Sequence, residues 1–91
     1  TQWFSDRLGK SVPIISAGGI WSTSDAKAVM ADGADMVAVA RAAIGHADWA
    51  SHISEENYSP MKPPFSSQHL TEQGLSETFV DYMRGWDGFV A

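Results

Sequence analysis

Two short apolar runs, VPIIS at residues 12–16 and MVAVA at 36–40, flank a single stretch with helical spacing. No other feature restricts the fold as strongly. The first run is rich in β-branched residues and has Pro13 near its start, where a missing N–H costs a strand least. The second carries no charge. A strand that is apolar at consecutive positions expects cover on both faces, as in a parallel sheet clothed by helices. Between the runs, Thr23 suits an N-cap and Asp25 suits the positive end of a helix. Ala26, Val29, Met30 and Gly33 recur at i, i+3, i+4 and i+7. This predicts an apolar face on a helix over 24–32, with Gly33 as the C′ stop. The linker is long enough for a crossover, so the segment reads as a βαβ unit.

The flanks are less regular. TQWFSDRLGK at 1–10 reads as the end of a helix stopped by Gly9. A chain that opens inside an element is expected to be a piece of a longer protein. Ala42, Ala43 and Ile44 favour a short helix ending at Gly45, and Asp48 is placed to cap a turn carrying Trp49 and Ile53. SEENYSPMKPPFSSQ at 54–68 holds three prolines and reads as irregular. A last helix is expected over 76–83, with Leu75, Phe79, Val80 and Met83 on one side. The closing RGWDGFVA is expected to lay Trp86 and Phe89 over a barrel rim or a partner.

Composition narrows the function. Net charge is −5, and the six Lys and Arg are scattered. Nucleic-acid binders concentrate basic residues on one face, so no nucleic-acid partner is expected. The absence of Cys excludes disulfides, thiolate metal sites and a Cys nucleophile. No run is long enough to span a membrane, so no membrane partner and a cytoplasmic location are expected. His46, His52 and His69 lack metal-ligand spacing and read as surface or loop residues. Glu55 and Glu56 read as solvated. Ser66, Ser67 and His69 lack the surroundings of a catalytic nucleophile.

The chemistry concentrates at the strand ends. Gly18-Gly19 ends the first strand just before a helix. Glycine permits positive φ and close approach to the backbone, and free N–H groups there suit an anion. The bland alternative is a tight turn. Arg41 ends the second strand, where ligands of parallel α/β folds bind. Its guanidinium suits a phosphate; the alternative is a salt bridge with Asp35 or Asp48. In (β/α)8 barrels the loops after the last two strands often form a phosphate site.

Pro13, Ile14, Ile15, Ala17-Gly18-Gly19-Ile20, Thr23, Asp25, Ala26, Gly33-Ala34-Asp35, Val37 and Arg41 together resemble the C-terminal part of the old yellow enzyme family of flavin oxidoreductases. HADW at 46–49 resembles the family's N-P-D-W. The resemblance spans residues 11–50. It implies an α/β fold, the C-terminal fragment of a (β/α)8 TIM barrel comprising the last two βα units plus a tail. Residues 1–50 would hold the end of helix 6, strand 7, helix 7 and strand 8. Residues 51–91 would hold an irregular segment, the final helix and the tail. The implied cofactor is FMN, its phosphate held at Ala17, Gly18, Gly19, Ala40 and Arg41. NADH or NADPH would reduce it, and an activated alkene or similar small molecule would accept the hydride.

Two departures bear on this site. Ala40 stands where the family has Gly, and His46-Ala47 where it has Asn-Pro. The family's substrate-binding and proton-donating residues have no counterpart here, so the chain alone is expected to be inactive and to need the remainder of the barrel. YMRGW at 82–86 resembles a motif whose Arg enters a neighbouring active site. Arg84 is thus a candidate inter-subunit residue of a homo-oligomer, or a solvated Arg at a helix end. Two other readings stand beside this one: a TIM-barrel lyase or isomerase of phosphorylated substrates, and a non-catalytic interaction domain.

Overall fold

The computed structural model describes residues 1–9 and 11–91. In chain order its elements are α1 (Gln2–Leu8), β1 (Ile15–Ala17), α2 (Thr23–Ala31), β2 (Met36–Ala38), α3 (Arg41–Gly45), α4 (Trp49–His52), α5 (Ser67–Glu72) and α6 (Glu77–Met83). β1 and β2 pair in parallel, with Ile15 opposite Met36, Ser16 opposite Val37 and Ala17 opposite Ala38. The expected βαβ order is present, although each strand has only three residues. Asp35 secures the start of the ladder. Its carboxylate accepts the Ile14 N–H at 2.8 Å, and its own N–H donates to the Ile14 carbonyl at 2.9 Å.

The expectation of strands buried on both faces is corrected. Ile15 is 61% exposed and its partner Met36 is 49% exposed. The sheet has two strands, and no described element covers this face. Trp3, Phe4, Leu8 and Val12 are also exposed. The chain is drawn out to 44 × 27 × 18 Å, with a radius of gyration of 15.2 Å. About 12 Å is usual for a compact chain of this length.

α2 starts one residue earlier than expected. Ser22, not Thr23, is its N-cap, and Ser22 and Asp25 form a reciprocal capping box. Thr23 instead turns inward. It is buried, and its hydroxyl donates to the carbonyls of Ile53 and Glu55 at 3.1 and 2.7 Å. On the expected apolar face, Ala26 is buried and Val29 half-buried, but Met30 is exposed.

Burial gathers in two clusters. One holds Ile20, Ala26, Ala42 and Trp49. The other holds Phe65, Leu70, Val80, Met83 and Phe89. Trp21 packs against both. The second cluster rests on α5, which begins in the last two residues of the stretch read as irregular and runs on beyond it. Ser66 caps α5 by accepting the His69 N–H, and Leu70 is fully buried. Phe89 is also a correction. It is buried on the Phe65 ring of the same chain, and Phe65 and Val90 form a parallel bridge, so the ring faces its own core rather than a partner. Trp86 does remain exposed. A Cβ at Gly45 would strike the Phe65 ring, so α3 meets this core without a side chain.

Candidate functional site: a cavity at the strand ends

The carboxyl ends of β1 and β2 open into one cavity of about 180 Å³. Residues 17–21 form one rim and residues 38–42 the other. All five residues predicted for the site, Ala17, Gly18, Gly19, Ala40 and Arg41, line it. They come together because the parallel register sets Ala17 beside Ala38, so both strands leave the sheet on the same side.

Gly18 and Gly19 hold φ of 105° and 69°, a region that strains any residue with a Cβ. A Cβ at either position would meet nothing within 4 Å. Space was therefore not what required glycine; backbone conformation was. The space beside both positions is open. Ala40 has φ of −127°, so the second rim needs no left-handed residue and tolerates Ala where the related barrels carry Gly.

Arg41 is exposed, and among the described residues no carboxylate pairs with it. Both carboxylates suggested as alternatives are engaged elsewhere. Asp35 holds the Ile14 N–H, and Asp48 holds the His52 ring at 2.8 Å. Arg41, which lines the cavity, is thus available to an anion. A volume of this size has room for several waters, at about 30 Å³ each, and so for a tetrahedral phosphate. Glycine peptide groups, open space above them and a guanidinium together fit a phosphate group.

The glycine rim is braced. Asp25 Oδ2 accepts the N–H groups of Trp21 and Ser22, both at 3.0 Å. Those backbone bonds, Ser22 first and Trp21 second, hold the Asp25 carboxyl below its ordinary pKa. The Trp21 carbonyl accepts from the Trp49 indole N–H at 2.9 Å. Trp21 lines the cavity and also packs on Phe65, with ring centroids 6.3 Å apart.

The remaining candidates fall outside the cavity. His46 donates to the Met61 carbonyl at 2.8 Å and His69 to the Gly45 carbonyl at 2.7 Å, both flanking Phe65. Both tie elements together, His46 from the loop between α3 and α4 and His69 from α5. His52 is bonded on both ring nitrogens, to Glu55 and to Asp48, and stacks on Tyr58. Glu55 and then Asp48 raise its pKa. Among the described residues no group of His, Asp or Glu is placed to hold a metal. Arg84 ends α6, exposed and paired with Asp81. No helix among the described residues is long and apolar enough to cross a membrane.

A glycine turn and an arginine at the carboxyl ends of adjacent parallel strands is how α/β proteins commonly hold phosphorylated ligands. Comparison with known families makes the class specific. The family model for dihydrouridine synthase (Dus) matches residues 6–84, and the chain belongs to that family. The family consists of flavin-dependent, tRNA-modifying oxidoreductases built on a TIM barrel and related to the old yellow enzymes. The resemblance drawn from the strand ends therefore holds at the level of flavin-dependent barrels. No curated protein and no solved structure matches the chain.

Proposed function

We propose that this chain is the phosphate-gripping, C-terminal part of an FMN-dependent oxidoreductase barrel. One observation carries the reading: the Gly18-Gly19 turn and Arg41, remote in sequence, line the same cavity. Ala17, Gly18 and Gly19 would offer peptide N–H groups to the FMN phosphate from one rim. Ala40 and Arg41 would meet it from the other, with the guanidinium neutralising its charge. FMN held there, reduced by NADPH or NADH, would supply hydride transfer to an activated alkene. In a dihydrouridine synthase that alkene is the uracil C5=C6 bond, which is conjugated to a carbonyl.

In this reading residues 1–50 carry the end of helix 6, strand 7, helix 7 and strand 8, and residues 51–91 the closing segment. Earlier βα units of the barrel would cover the face of Ile15 and Met36. Groups that bind substrate and donate a proton would lie on those units, so the chain alone would be inactive. With a net charge of −5 and scattered basic residues, this segment would grip the cofactor and leave RNA contacts to other parts of the protein. Arg84 would reach a neighbouring subunit only after releasing Asp81.

The test is cofactor affinity in the intact protein. Losing a charge-assisted bond to phosphate is worth about 1.5–3 kcal/mol. Arg41→Met should therefore weaken FMN binding by about ten- to a hundredfold. Riboflavin, which lacks the phosphate, should bind as before. Equal effects on both flavins, or none on either, would overturn the reading.

A further inference from the structure

We infer that Trp49 is the positioning residue that sets the glycine rim against the arginine rim, acting through the Trp21 carbonyl; this rests on the phosphate reading above. Trp49 does not line the cavity. Trp49 is 5% exposed and shares one buried cluster with Ile20 and Ala42. Ile20 directly follows Gly19, and Ala42 directly follows Arg41. A single side chain thus packs beside both rims, while its N–H reaches across to the carbonyl of Trp21 at 2.9 Å.

That bond completes the restraint on one peptide segment. The Trp21 N–H is held by Asp25 on α2 at 3.0 Å, and the Trp21 carbonyl by Trp49 on α4. Two residues upstream lies Gly19, whose left-handed backbone has no side chain to fix it. Glycine is the most conformationally permissive residue, so its peptide groups hold their aim only when neighbouring residues are fixed. Trp49 supplies that restraint from α4, which follows the helix that Arg41 opens. The distance between the peptide donors and the guanidinium is therefore set by a residue that touches neither the ligand nor the reacting atoms.

Trp49→Phe in the intact protein retains an aromatic ring and removes the donor. Affinities for FMN and riboflavin are measured by flavin fluorescence, alongside Arg41→Met. A freed rim should weaken FMN by about five- to tenfold, the size of one buried hydrogen bond. Riboflavin affinity should not change, so the preference for the phosphorylated flavin should fall. A packing role alone would lower both affinities together, or lower only the melting temperature, and either result overturns the inference. Replacing Trp49 by 3-benzothienylalanine keeps the shape of the indole and exchanges N–H for sulfur. This variant decides the matter if Trp49→Phe does not fold. It should show the same selective loss of FMN, and an unchanged FMN-to-riboflavin preference overturns the role. If Arg41→Met lowers that preference while both changes at Trp49 spare it, positioning fails and the phosphate site stands. If Arg41→Met spares the preference, both fail.

Discussion

Phe65 and Leu70 in the C-terminal region are fully buried, whereas Ile15 and Met36, paired across the sheet, stand largely in solvent. Both regions are rich in apolar residues. They differ in how they close. The Phe65 cluster is wrapped by α5, α6 and the tail, with the Phe65 N–H donating to the Phe89 carbonyl at 2.8 Å. The βαβ region packs half-buried Val37 against the cluster of Ala26 and Trp49 and leaves Ile15 and Met36 exposed. One region completes its own core; the other is shaped to receive cover. The cavity at the strand ends belongs to the second region, and Trp21 joins it to the first.

The sharpest way to break this contrast is at Phe65. Phe65→Ala should cost about 3–5 kcal/mol, because a fully buried ring leaves a cavity that its surroundings fill only in part. Denaturant unfolding of the intact protein measures it, and a loss under about 1 kcal/mol would mean that this core is not self-contained.

The opposite behaviour is expected at Ile15. In the 91-residue chain, Ile15→Ser should change stability by no more than about 0.5 kcal/mol, as at other exposed sites. In the intact protein, where further barrel strands are proposed to cover the face, the same change should cost about 1.5–3 kcal/mol. Equal small effects in both settings would leave the uncovered face without an occupant.

The smallest effect concerns His52, which stacks on Tyr58 beside the Trp49 cluster. Its pKa is raised by Glu55 and Asp48, so its contribution is complete below its unfolded value of about 6.5. That contribution is lost as pH rises through the folded value. The Asp48 carboxyl is lowered, chiefly by its bond to His52, so its share is lost as pH falls through its own folded value. The clamp is strongest between those limits. His52→Gln should flatten the decline in melting temperature above neutral pH, and an unchanged slope would remove His52 from the account.

The sequence made the local features legible. Helical spacing marked α2 and α6, Gly45 ended α3, and the two apolar runs located the strand pair. Errors arose where tertiary contacts decided. Thr23 resembles a cap as closely as Ser22 does, but its hydroxyl is drawn to the 53–55 segment, which leaves the cap to Ser22. α5 was obscured by Pro63 and Pro64 just before it, although Ser66 three residues ahead of His69 was a usable start signal. Phe89 shows no pattern that separates a core ring from a rim ring; its place depends on Phe65, far away in sequence. For the site, the glycines and Arg41 stood out because each ends an apolar run. The Trp49 bond to Trp21 did not, since nothing in the spacing of two tryptophans announces that one will reach the other's backbone.

A floor made of left-handed glycines recognises whatever lies on it through the main chain alone. Evolutionary drift there is constrained by torsion angles rather than by functional groups. Related proteins can therefore change specificity through the walls and roof of the site while the anchoring base is inherited untouched.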